Sequence, residues 1–227
     1  MDSAKPAPRG SGMPLSPAAL AVTAAGFAVL GALAAFAHQQ LLFFDDPIRD
    51  AVRSVEIDGY GTFLEWLGRL GSRLVTVPLT LVAVGVTWRR CRQLAVLFGI
   101  ALVVAVGLEV VLKALVDRPR PVPDAGFGPS FPSGHVIAAA ALWGLVPTAL
   151  HVRTGKRWVW GLSLAVAVAI VVGVGLSRIY LSAHWPSDVL GALLLVVVFL
   201  AVAESAVRRP WRLIHCEACL IHRASPQ

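Results

Sequence analysis

Charge is what this sequence has least of. Asp, Glu, Lys and Arg make up 15% of its 227 residues, against about 25% in ordinary soluble domains. That shortage excludes a typical water-soluble domain, as do a hydrophobic fraction of 57% and a mean hydropathy of +0.73. Few of the remaining charges fall inside the apolar runs, which argues against an intramembrane ion relay. They lie in loops and tails, so the net charge of +7 reads as a topology signal and not as a nucleic-acid surface. Cysteine is confined to Cys91, Cys216 and Cys219. All three fall on the side assigned below to the cytoplasm, and nothing indicates a structural disulfide. A Walker loop, a dinucleotide fingerprint and internal repeats are missing, which excludes the nucleotide-binding and solenoid classes those patterns mark.

What is present is apolar and long. The run Ala18–Ala37 is a first spanning candidate. Its Ala35-Phe36-Ala37 has the form of a signal-peptidase site, but the run exceeds the about 7–15 residues of a signal h-region, which favours an uncleaved helix. Five further runs follow at Leu74–Trp88, Leu94–Leu112, Val136–Leu150, Trp158–Leu176 and Val189–Ala203. Some fall short of the roughly 20 residues a span requires, and flanking aromatic, Ser and Gly residues extend them. Pro78 and Pro147 are candidate kinks. The expectation is an all-α polytopic membrane protein. A disordered tail (1–17) precedes a six-helix membrane domain (18–207), and a basic tail (208–227) follows.

Residues 44–73 form the one long polar connection. Asp46-Pro47 resembles a helix start. Ile48, Val52 and Val55, then Phe63, Trp66, Leu67 and Leu70, fall at helical spacing. One or two short interfacial helices are expected there. Asp45, Asp46, Asp50, Glu56, Asp58 and Glu65 give this stretch an acidic face. Orientation follows from the basic residues. Most of the 20 Lys and Arg group at Lys5–Arg9, Arg89–Arg92, Arg153–Arg157 and from Arg208 onward. The positive-inside rule then places both termini in the cytoplasm.

Three polar clusters share the opposite side. They are Lys113-x6-Arg120-Pro121, Pro132-Ser133-Gly134-His135 and Ser177-Arg178-x5-His184-x3-Asp188. Lys113, Arg120 and Arg178 are cations beside apolar helices, where a charge is costly unless it meets an anion. Arg presents a planar fork to phosphate oxygens and Lys a point charge. Ser133 and Gly134 precede a helix start whose free N–H groups favour an anion. His135 and His184 titrate near neutral pH. Asp188 lies one helical turn beyond His184, where a carboxylate can fix the imidazole tautomer and leave the other nitrogen free for attack. Together the residues point to phosphoryl chemistry. Glu109, one turn before Lys113, is placed to pair with it.

These clusters resemble the signature of the type 2 phosphatidic acid phosphatase superfamily, which includes membrane lipid phosphatases and soluble vanadium haloperoxidases. The resemblance covers about a third of the chain, with no position of the pattern missing. It implies that Lys113, Arg120, Ser133, Gly134 and Arg178 hold the phosphate. It further implies that His184 is the nucleophile, Asp188 orients it and His135 is the general acid. No metal or other cofactor is implied. The expected activity is hydrolysis of a membrane lipid phosphate through a phosphohistidine. Polyprenyl pyrophosphate is favoured, with phosphatidic acid and phosphatidylglycerol phosphate as further candidates. A lipid phosphotransferase and a non-enzymatic lipid flippase are the competing readings. The Ala/Arg/Val-rich composition suggests a bacterial plasma membrane, with the site facing outward. The tail sequence His215-Cys216-Glu217-Ala218-Cys219, with His222, is a separate candidate zinc or redox motif.

Overall fold

The structure, a computed structural model, describes residues 16–89 and 91–208. The expected tail motif of His215, Cys216, Cys219 and His222 lies outside the described residues, as do residues 1–15. The described chain is helical, with no strand among those residues. The helices are α1 (Pro17–Phe36), α2 (His38–Arg53), α3 (Tyr60–Arg69), α4 (Arg73–Trp88), α5 (Arg92–Leu115), α6 (Gly134–Trp143), α7 (Val146–Thr154), α8 (Arg157–Tyr180) and α9 (Pro186–Arg208).

Each apolar run is helical, and local chemistry sets several boundaries. Ser16 caps α1 by accepting from the Ala19 N–H at 3.1 Å, and Pro17 occupies the first turn. Asp46-Pro47 does not start a helix, contrary to the sequence expectation: Pro47 lies inside α2, which already begins at His38. The reason is that neither carboxylate there is available as a cap. Asp46 pairs with Arg49 at 3.1 Å, and Asp45 is committed to Arg118 at 2.6 Å. The run Val136–Leu150 is also not one kinked helix. It breaks at Gly144–Leu145 into α6 and α7. Pro147 cannot donate a backbone hydrogen bond and disfavours helical geometry in the residue before it, so it sits in the first turn of the new helix.

Among the described residues three helices are long and apolar enough to cross a membrane: α1, the Leu94–Leu115 part of α5, and α8. The pair α3–α4 is bent by 46° and makes a fourth if it is one span. Gly134–Leu150 and Pro186–Val198 are shorter apolar stretches. The outward faces are strongly apolar: Val22, Leu74, Leu81, Val103 and Val166 are all more than half exposed. A contiguous apolar surface of this kind suits lipid and not water.

At the centre lies α6, packed against α4, α5, α8 and α9. Its Ala138–Ala141 stretch is buried, and small side chains there let neighbouring helices approach closely. Val136 and Ile137 meet Val171, Val174, Val189 and Ala192 in the main core. A separate cluster holds the loop before α6. There Phe131 is buried among Ala34, Leu41 and Val116 and stacks on Phe27 with ring centroids 6.0 Å apart. Replacing Phe131 with Ala is expected to destabilise the fold by about 3–5 kcal/mol, the usual range for emptying an aromatic site. The fully exposed Phe127 is the control. Thermal unfolding in detergent should show a clear drop for Phe131→Ala and none for Phe127→Ala.

Candidate active site

The fold brings the three polar clusters to one end of the bundle. Lys113 lies in the last turn of α5, Ser133 at the cap position of α6, Arg178 in the last turn of α8, and Asp188 in the first turn of α9. Arg120 and His184 sit on the intervening loops. Electrostatic coupling reflects the convergence: Arg120 and Lys113 both act on His184, Arg120 acts on Arg178, and the charges of Arg178, His184 and Lys113 all reach His135.

Each cation is held differently. Arg120 donates to the carbonyl oxygens of Phe127 and Gly128, both at 2.9 Å, and of Ala183 at 2.7 Å. Its remaining approach is to His184 Nε2, at 3.5 Å. Arg178 donates to Ser177 Oγ at 3.0 Å, and its buried Nε has no hydrogen-bond partner among the described residues. Glycine is required opposite it: a Cβ on Gly68 of α3 would meet Ser177 Oγ and the Arg178 guanidinium. Lys113 pairs with Glu109 at 3.0 Å, as the one-turn spacing suggested, and Glu109 also accepts from Arg73 at 2.9 Å.

The α6 N-terminus supplies the rest of a cradle. Ser133 is buried, and its Oγ makes no hydrogen bond, neither to the helix it precedes nor to any other described residue. The Glu109 carboxylate stands against Gly134, where a Cβ would overlap it. A carboxylate is favoured there for the reason a phosphate would be: it stands at the positive end of the helix dipole. The His135 ring makes no hydrogen bond among the described residues.

His184 is 3% exposed, and its Nδ1 lies 2.7 Å from the Ser130 carbonyl oxygen. A carbonyl can only accept, so Nδ1 carries the proton and Nε2 the lone pair. That lone pair faces Arg120. Asp188 stands farther off, with Oδ2 3.7 Å from Nδ1. Its short bonds come from Arg118 at 2.7 Å and the Trp185 N–H at 2.9 Å. The bond that sets the tautomer is therefore made by the Ser130 carbonyl, and Asp188 contributes charge at one remove.

Two residues essential to this arrangement carried no signal in the motif pattern. Arg118 is 1% exposed and bonds Asp45 at 2.6 Å, Ser187 Oγ at 2.6 Å and Asp188 at 2.7 Å. Asp45, from α2, is fully buried and also accepts from the Ser187 N–H and Oγ, at 2.8 and 2.7 Å. It is thus no part of an exposed acidic face. The only hint lay in the doubled Arg-Pro of Arg118-Pro119-Arg120-Pro121.

Burial holds the His184 imidazole below the ordinary His value, since removal from water penalises the imidazolium; the Asp188 carboxylate opposes this, and Arg120 and Lys113 reinforce it. The ring therefore stays neutral, with its Nε2 lone pair intact, as pH falls past 6.5, and protonates only lower. Imidazole NMR shifts of His184 are expected to titrate below that value. Asp188→Asn, which removes the opposing charge, should move the midpoint lower still. A midpoint above 6.5 would contradict the burial argument.

Comparison with known proteins identifies the family. Residues 92–212 match the PAP2 superfamily. The undecaprenyl-diphosphatase of Sulfolobus acidocaldarius is 31% identical over 166 residues, covering 69% of this chain and 75% of that protein. Human glucose-6-phosphatase 3 is 42% identical over 72 residues, which span 30% of this chain and 20% of the human protein. The fold resembles that of a transmembrane PAP2 type phosphatidylglycerolphosphate phosphatase from Bacillus subtilis, with a TM-score of 0.75 at 22% identity over 84% of this chain and 96% of that one. A family match across more than half of its length, together with a relative aligned over two thirds of it, means that this chain belongs to the PAP2 superfamily.

Proposed function

We propose that this protein is an integral membrane phosphatase that hydrolyses a phosphomonoester or pyrophosphate of a membrane lipid through a phosphohistidine. The observation that carries this reading is the His184 geometry. A buried imidazole has its tautomer set by the Ser130 carbonyl, and its free nitrogen faces Arg120 within a cluster of three cations.

The lipid phosphate lies among Lys113, Arg120, Arg178, Ser133 Oγ and the first N–H groups of α6. These donors are positioned before the reaction and stabilise the charge spread over the equatorial oxygens at the transition state. His184 Nε2 attacks phosphorus in line. A P–N bond forms, the P–O bond to the leaving group breaks, and His135 protonates the departing oxygen. Water then attacks the phosphohistidine while His135 takes its proton, which returns His184 to its neutral state. Three cations beside the nucleophile do the electrostatic work that a divalent ion does elsewhere.

Among lipid substrates a polyprenyl pyrophosphate is favoured, in line with the name of the Sulfolobus relative. The bundle is read as six spans. The bent α3–α4 pair, α6 with α7, and α9 join the three long helices. Both termini then face the cytoplasm of a bacterial cell, and the site faces outward.

His184→Ala is expected to lower multiple-turnover phosphate release by at least about 10³-fold, as for loss of a covalent nucleophile. Substrate binding and membrane insertion should persist. Wild-type activity should survive excess chelator and be inhibited by vanadate. Activity lost in chelator and restored by a divalent ion would contradict the charge-only cradle.

The topology is open to a thiol test in a background lacking Cys91, Cys216 and Cys219. Cysteine in place of the exposed Phe127, beside the site, should react with an impermeant reagent in intact cells. Cysteine in place of Thr154, at the end of α7, should react only after lysis. The reverse pattern would turn the site toward the cytoplasm.

A further inference from the structure

A carboxylate is the side chain a phosphate site has least use for, since it repels the ligand. Glu109 nevertheless stands inside the cradle. Its Oε1 lies 3.0 Å from Lys113 Nζ, and its Oε2 lies 2.9 Å from Arg73. The carboxylate rests against Gly134, the first residue of α6, where a Cβ would overlap its carbon and both its oxygens. At the cap position just before, the buried Ser133 hydroxyl has no hydrogen-bond partner among the described residues. The charge of Glu109 also reaches Arg120 and His135.

The two cations on this carboxylate differ in kind. Lys113 belongs to the phosphate motifs and is 18% exposed. Arg73, the first residue of α4, lies outside all three motifs and is 58% exposed. A phosphate that takes Lys113 at the start of α6 brings a second anion to the place Glu109 holds, and the two repel. Arg73 resolves the conflict. It remains on the other carboxylate oxygen, so Glu109 can give up Lys113 without becoming an unpaired buried charge. A brace between α4 and α5 would need only Arg73 and Glu109. It would need neither Lys113 nor the end of α6.

We propose that Glu109 is a built-in competitor for the anion seat of the cradle. It holds Lys113 and the α6 end in the empty site, yields them to the substrate phosphate, and takes them back as inorganic phosphate leaves. Arg73 is the positioning residue that retains Glu109 during the exchange. This rests on the phosphatase reading above and deepens it. Hydrolysis of a phosphohistidine ends with inorganic phosphate in the seat where the substrate phosphate began. Three cations, a helix end and an unpaired hydroxyl hold that product as firmly as they hold the substrate, and product release then limits turnover. A returning carboxylate weakens the hold on both ground states, which favours release.

The test is calorimetry of inorganic phosphate on the purified full chain in detergent. Glu109→Gln is expected to bind phosphate at least about tenfold more tightly than wild type, the scale of one charge-assisted contact. Arg73→Ala is expected to bind it more weakly, because Glu109 then has Lys113 alone. Loss of affinity in both variants is what a structural ion pair gives, and it overturns the proposal. Glu65→Gln controls for charge acting at a distance, since Glu65 is exposed and its charge reaches Arg178. A gain there as large as at Glu109 also overturns the proposal. With farnesyl diphosphate as substrate, Glu109→Gln should lower KM and kcat together, the mark of a ground state bound too well. A raised KM counts against the competitor. The binding arm needs no turnover. Tighter phosphate binding by Glu109→Gln supports the competitor even if His184→Ala still hydrolyses lipid. Unchanged binding beside an inactive His184→Ala sinks the competitor and leaves the hydrolytic reading in place.

Discussion

The arrangement depends on one buried cation. Arg118 is inside the protein with Asp45 on one side and Asp188 on the other. In an apolar bundle, a guanidinium with one carboxylate removed is an uncompensated buried charge, and such losses are strongly destabilising. The three groups come from α2, the loop after α5 and the start of α9. Their mutual need fixes those segments against each other. Ser187 joins the network through its N–H and hydroxyl, so the first turn of α9 is anchored as well. His184 lies immediately before that turn, and its position follows from the anchor.

Around this anchor the site gathers positive charge that would repel itself if left alone. Glu109 moderates the repulsion. It is shared between Lys113 and Arg73 and rests against Gly134 at the positive end of α6. Its carboxylate thus stands at a helix end that favours any anion. Arg120 and Arg178 are left with neutral partners, and the Ser133 hydroxyl with none among the described residues. Polar groups buried in this state favour an anion strongly, because binding removes an existing cost as well as forming new bonds.

Small residues give these charged groups room. Gly68 lets α3 pass beside Arg178, and the alanines of α6 let four helices converge on a short central one. The alanines sit in an apolar stretch where alanine is common in any membrane helix, and Gly68 is one of several glycines in the polar connection, so composition did not mark them.

The periodicity and length of the apolar runs determined that the chain is helical and membrane-embedded, because hydropathy is a local property of the sequence. The three motifs likewise announced Lys113, Arg120, Ser133, Gly134, His135, Arg178, His184 and Asp188, because their spacing alone confines them to one end of a bundle. Partnership was not legible. Asp45 read as one acid in a polar loop, and Arg118 as one more basic residue, because a buried pair 73 residues apart in sequence has no local pattern. The start of α2 at His38 was missed for a related reason: whether Asp46-Pro47 starts a helix depends on whether the carboxylates there are free to cap, and both are committed elsewhere. The Ser130 carbonyl carries no side-chain signature at all, so only the folded chain could assign it, instead of Asp188, to the Nδ1 proton of His184.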